Sequence, residues 1–167
     1  MTDTPDVVDA VLALKTDHPT WALRRQRDKV VAATQGSYDA MFSLAVQGLA
    51  VQERLLVALH ACRVSKADAL AAHYRQRLAN EGAHSAVIAA VNAGESVADL
   101  RLRDMLAFCG KLIERPIEGD RAAVQALADI GLSTPAIVAL TQLIAFVSYQ
   151  IRLAAGLAAL AAVEVSA

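Results

Sequence analysis

Apolar residues recur every three to four positions along most of this chain, and the breaks between the runs fall at capping residues, glycines and prolines. Thr4-Pro5-Asp6 reads as a helix start, with threonine as N-cap, proline first in the helix and aspartate in the first turn; a short helix to about Leu14 follows. Lys15 to Thr20 is a connection. Trp21 opens a basic segment that resumes as a helix from Asp28 to about Leu44. The most informative stretch is Val51 to Leu78, read as two consecutive helices. The first sets Leu55, Leu56, Leu59 and Cys62 at helical spacing, and Ser65 with Asp68 three residues on marks the start of the second. That second helix ends near Asn80 to Gly82. Further helices are predicted from His84 to Asn92 with a stop at Gly94, from the Ser96/Asp99 pair to about Ile113, and from Asp120 to Gly131. Arg115-Pro116 ends the third-last of the chain's helices, and Ser133 caps a long final one with Pro135 in its first turn. No alternation of polar and apolar residues persists long enough for a strand. The pattern predicts an all-α bundle of about seven or eight helices, one compact domain in which residues 1–46 form an N-terminal extension packed on a core of residues 47–167.

Composition sharpens this picture in a few places. Of the 167 residues 56% are hydrophobic and only 4% aromatic, which suits close-packed helices rich in alanine and leucine. A net charge of −1 removes the electrostatic case for nucleic acid. Arg24, Arg25, Arg27 and Lys29 therefore read as a solvated helix surface rather than an anion-binding face. Two widely spaced cysteines make no disulfide framework. No basic-then-apolar leader opens the chain, and a cytoplasmic location is expected. Ala136 to Val163 is the most apolar stretch, but Arg152 and several polar residues interrupt it. The expectation is a buried helix rather than a membrane span, and one that also meets another subunit.

Glu53 to Leu59 followed by Ala71-Ala72-His73 resembles the core of the AhpD-like, or carboxymuconolactone decarboxylase, family. The resemblance extends from about Gln47 to Leu157 through Asp104–Leu112, Ala126–Ser133, Ile137-Val138 and Ala145–Leu153, which follow the pattern of the peroxidase-related branch. It implies a helical fold, homodimers or trimers of dimers, and reduction of alkyl hydroperoxides by a cysteine pair recharged by a dithiol partner. A lactone decarboxylase-like reaction, which needs no disulfide, is the other activity it implies. His73 matches the family's histidine. The two thiol positions of the family's Cys-x-x-Cys-x-x-x-His run, however, fall on Lys66 and Ala69. The family's glutamate falls near Arg54 or Leu55, with Glu53 as the nearest carboxylate. The resemblance thus implies a fold more firmly than an activity.

Among residues able to do chemistry, His73 could act as a base or hold a ligand, or be structural. Cys62 could carry a one-cysteine cycle, but it ends a helix, where the dipole disfavours a thiolate, and an inert buried thiol is the better reading. Cys109, in an apolar helix, reads the same way. His60, Glu53, Tyr149 and Arg152 are the candidate ligand-pocket residues, with Arg152 expected to be buried and paired. His60, Cys62, His73 and His84 lack metal-ligand spacing, so no metal and no cofactor are expected. Two functions follow. One is a non-catalytic oligomeric or small-ligand-binding subunit with a degenerate redox centre, assembled with itself or with a cysteine-bearing family relative. The alternative is a peroxidase-like or decarboxylase-like enzyme using His73 and Cys62.

Overall fold

A computed structural model describes residues 6–164. Among these every regular element is a helix: α1 Val7–Leu12, α2 Pro19–Arg25, α3 Asp28–Met41, α4 Val51–Val64, α5 Asp68–Asn80, α6 Ser85–Ala93, α7 Leu100–Glu114, α8 Arg121–Asp129 and α9 Thr134–Glu164, with a 3-10 turn at Pro116–Glu118. The all-α bundle read from the periodicity is therefore what the chain forms. One helix more than expected is present, because residues 19–25 make a separate helix, capped by the His18 ring accepting from the Thr20 N–H.

The architecture is built around α4. Eight of its fourteen residues are buried, and α5, α6, α7 and α9 all pack on it. Its start is fixed by Glu53, whose carboxylate accepts the Ala50 N–H at 2.7 Å and pairs with Arg101 of α7 at 2.8 Å. Ala50 has no side-chain acceptor, so only this half of a capping box exists. Inside the first turn Arg54 is only 2% exposed. Its guanidinium donates to the carbonyls of Met41 (2.5 Å) and Ser43 (2.9 Å), anchoring the irregular link from α3. Those carbonyls, left over at a helix end, gain donors, but burial, with Arg77 adding to it, pulls the Arg54 pKa below its ordinary value and its Nε finds no acceptor.

The other end of α4 corrects the reading of Ser65. That residue closes α4, its N–H bonding to the Ala61 carbonyl, and it does not cap α5. Lys66 follows with φ +56, the left-handed conformation that glycine usually supplies after a helix, and the Ala67 N–H returns to the Cys62 carbonyl. α5 then begins without a side-chain cap. The Ser96 cap is also replaced: Asp99 itself caps α7, accepting from the Leu102 N–H at 3.0 Å. At the N-terminus Asp6 is the cap of α1, accepting from Val8 and Asp9, rather than a first-turn residue. Thr4 and Pro5 lie outside the described residues. Asp120 and Ser133 cap α8 and α9 as the sequence suggests.

The basic segment is not simply a solvated surface. Arg24 reaches Asp6 and Asp9, and Arg25 reaches Asp9, through ion pairs whose carboxylates are almost fully covered. Burial alone would pull the Arg24 pKa down, but the two aspartates outweigh it and hold the guanidinium above its ordinary range. This cluster locks α1 to α2, and α1, α2 and α3 each pack on α9. α9 enters the core through Ala136, Leu140, Leu143, Ile144, Phe146, Val147, Gln150 and Ala154. Gln150 accepts from the Tyr74 hydroxyl at 2.6 Å, tying α9 to α5 at a point where both side chains are fully buried. The opposite face of α9 is open. Thr134–Val163 is long and apolar enough to cross a membrane by length and composition, and only 33% of its most apolar window is buried.

Candidate functional site

His60 and Arg63 lie one helical turn apart near the end of α4. They face a cleft of about 540 Å³ whose second wall is α7 and whose third is the end of α6 with the turn after it. The α7 wall is one helical face, Arg103, Leu106, Ala107, Gly110, Lys111 and Glu114, at the spacing a single side of a helix provides. Val91, Val97 and Leu106 form an apolar floor, each less than 8% exposed. The His60 ring packs close to α7 at Gly110, where a Cβ would lie 3.6 Å from Nε2, an ordinary contact distance.

The cleft is chemically uneven. Burial, with help from Arg63, pulls the His60 pKa down to about 4, so at neutral pH the ring is uncharged and offers one donor and one acceptor. Around it stand five cationic side chains, Arg63, Lys66, Arg103, Lys111 and Arg115, against Glu95 and Glu114. Of these, only Arg115 has an ion-pair partner among the described residues, Glu118 at 2.7 Å. Arg63 lies flat on the backbone after α6, and its Nε is buried with no partner. Gly94 makes that position available twice over. Its φ of +78 ends α6, and a Cβ there would sit 2.7 Å from Arg63 Nη1. Arg63 and Lys66 also wall a second cleft of about 430 Å³ with Asp68, Arg75 and Asn92.

The residues singled out from sequence are not gathered in one place. His60 is in the main cleft. Glu53 is at the other end of α4, used as a cap and in the Arg101 pair. Tyr149 is bonded to Thr34 at 3.0 Å and borders a shallow apolar groove between α3 and α9. Arg152 is neither buried nor ion-paired among the described residues. It is exposed and reaches only the Ser148 carbonyl at 3.2 Å, because it projects from the open face of α9. His73 is half-buried and 2.6 Å from the Tyr38 hydroxyl, with Tyr74 edge-on at 5.2 Å. Burial lowers its pKa, with Arg77 adding to the effect, and burial raises that of Tyr38, so both partners are neutral. The clefts that hold His60 and Tyr149 do not include His73.

Cys62 and Cys109 are fully buried on the packed helices α4 and α7. Burial pushes both thiols up to about 12, and for Cys62 the nearby Cys109 adds to the rise. No cluster of three or more metal-ligating side chains forms among the described residues. Sequence reading missed Arg63, Lys66 and Lys111. The signal available was weak, a run of cations at one helix end and along one helix face with no acidic residue four positions away from most of them. No protein-family model matches the chain, and comparison with curated proteins finds no significant match.

The neutral His60 has a consequence for acid stability. Its ordinary pKa of about 6.5 in the unfolded chain lies above the folded value, so between pH 6.5 and about 4 the unfolded state takes up a proton that the folded state refuses. Stability must fall with pH across that window. With solvent at the cleft mouth screening part of the effect, His60 contributes a loss of about 1 kcal/mol by pH 5. In His60→Gln the drop in Tm between pH 7 and pH 5 should be smaller than in the unaltered protein by about 3 °C, measured by circular dichroism. Equal drops in the two proteins would show that His60 is charged or freely solvated in the fold.

Proposed function

We propose that this chain is a small-ligand-binding helical subunit, AhpD-like in fold but without that family's thiol centre, and that its ligand site is the α4–α6–α7 cleft. The observation that carries the reading is the cleft itself: about 540 Å³ with an apolar floor, a neutral imidazole and uncompensated polar groups at the rim. Its volume is in the range that small-molecule sites occupy. Lys66 and Ala69 at the positions of the family's cysteines, and the deep burial of the two thiols the chain does have, support a non-catalytic role in redox chemistry.

A second reading rests on the 2.6 Å contact between Tyr38 and His73. It supplies His73 with the partner a general acid or base would use, and so favours a decarboxylase-like enzyme over a peroxidase-like one. Titration with phenol, indole, benzoate and phenyl phosphate, followed by NMR, separates the two. The cleft reading expects shifts at His60, Val91, Val97 and Leu106, abolished by Ala107→Trp, which fills the cleft from an exposed position without lowering Tm. Shifts clustered at Tyr38 and His73, or none with any of the four compounds, would refute it.

The same reading includes assembly into a homo-oligomer through α9. Val138, Tyr149, Leu160 and Val163 are all at least 41% exposed along its open face, with alanines and Gly156 between them to permit close approach of a second helix. A contact of this kind should bury more than about 1,000 Å² in total. Light scattering at micromolar concentration should give a dimer or larger, and Leu160→Lys should shift it toward monomer. A monomer in the unaltered protein would remove assembly from the account.

A further inference from the structure

The cleft's charge does not balance, and the surplus says what kind of ligand would complete it. Of its five cations, Arg63, Lys66, Arg103 and Lys111 have no carboxylate within ion-pair distance among the described residues, while the cleft contributes two carboxylates, Glu95 and Glu114. With Arg115 neutralised by Glu118, the four remaining cations against two carboxylates leave a surplus of two positive charges in a chain whose net charge is −1. Like charges gathered around one cleft repel; Lys66 and Arg103 are exposed and partly screened by solvent, and a bound anion would relieve what remains.

Two further features concentrate the imbalance at one corner. Arg63 keeps a buried Nε with no acceptor, as Arg24, Arg25 and Arg54 each keep one such nitrogen elsewhere, at a cost of about 1–3 kcal/mol unless a ligand or water accepts from it. Lys66 adopts the left-handed backbone conformation, at φ +56, that costs a non-glycine residue about 1–2 kcal/mol. The turn that closes α4 places Lys66 beside Arg63, and both residues border the two adjoining clefts.

Resting on the reading of this cleft as a ligand site, we propose that its ligand is a small organic phosphate, with its phosphate at the Arg63–Lys66 corner and its apolar body on the floor formed by Val91, Val97 and Leu106. A phosphate monoester carries close to two negative charges at neutral pH and three acceptor oxygens, which cancels the surplus. It also supplies the charge-assisted acceptors that a guanidinium and an ammonium both lack here. A monocarboxylate would leave half of the surplus in place. An uncharged ligand would leave all of it. No bond is made or broken in this step; it is binding only.

Phenyl phosphate is the probe, with benzoate and phenol as its singly charged and uncharged counterparts, measured by calorimetry and by NMR in low-salt buffer at pH 7.5. The expected order of affinity is phenyl phosphate, then benzoate, then phenol, with at least tenfold between the first and second. Binding of phenyl phosphate should weaken steeply as salt is added. Arg63→Gln and Lys66→Gln should each reduce its affinity at least fivefold while leaving phenol unaffected. Arg121→Gln, exposed on α8 and outside the cleft, should change nothing. Inorganic phosphate should compete at the same corner, but more weakly than phenyl phosphate. Phenol or benzoate binding in the cleft as tightly as phenyl phosphate would overturn the phosphate assignment and leave the cleft as a ligand site. Equal losses in Arg121→Gln and Arg63→Gln would also overturn it, by showing a diffuse charge effect. No binding by any of the three would overturn both the assignment and the cleft reading on which it rests.

Discussion

The near-complete burial of α4 is the constraint on which the rest depends. A helix covered by α5, α6, α7 and α9 must be apolar on almost every side, and Leu55, Val57, Ala58, Leu59, Ala61 and Cys62 are each no more than 1% exposed. Polar groups can then appear only at its two ends. At the first end Glu53 and Arg54 are consumed by structure, one as a cap and ion-pair partner, the other as a donor to two stranded carbonyls. At the second end His60 and Arg63 face the gap that α6 and α7 leave open. The location of the candidate site thus follows from the packing of the central helix. The same packing places both thiols in dry surroundings, where burial opposes the thiolate that any cysteine chemistry would need.

Buried polar groups elsewhere in the molecule join elements rather than expose chemistry. The aspartates of α1 hold Arg24 and Arg25 of α2; Tyr74 and Gln150 join α5 to α9; Tyr38 and His73 join α3 to α5; Thr34 and Tyr149 join α3 to α9. In each case the partner meets part of what a buried polar group needs, although Arg24 Nη2, Arg25 Nη1 and Gln150 Nε2 stay without an acceptor. The open α4–α6–α7 cleft is different in kind. Of its five cations only Arg115 is ion-paired among the described residues, and Arg63, Lys66, Arg103 and Lys111 join no elements through carboxylates.

Much of the fold was legible in the sequence because its punctuation is strong. The bounds of α4 follow from apolar spacing, and the ends of α6, α7 and α8 from Gly94, Pro116 and Gly131. The helix caps were harder, since Ser-x-x-Asp offers two capping side chains and the structure uses Asp99 where Ser96 also fitted the pattern. At Ser65 the chain instead finishes one helix before starting the next, a choice set by the Lys66 turn rather than by local propensity. The Asp9–Arg24 pair and the cleft were not legible, because their members are brought together from distant segments. In the cleft these are residues 60–66, 91–97 and 103–115. Arg152 was misjudged for a related reason: periodicity shows that α9 is apolar all round but not which face its neighbours cover.

The account's central claim is that α4 is the structural centre and that only its last turn borders a working surface. Native-state amide hydrogen exchange tests this most directly, since it reads the opening free energy of each helix separately. The account predicts that amides from Leu55 to Cys62 exchange only through global unfolding, as the most protected in the chain. Amides at Gly94 to Val97, which border the cleft, should exchange through small local openings. Exchange at Leu55 to Cys62 as fast as that of α6 or of the 94–97 turn would contradict the account.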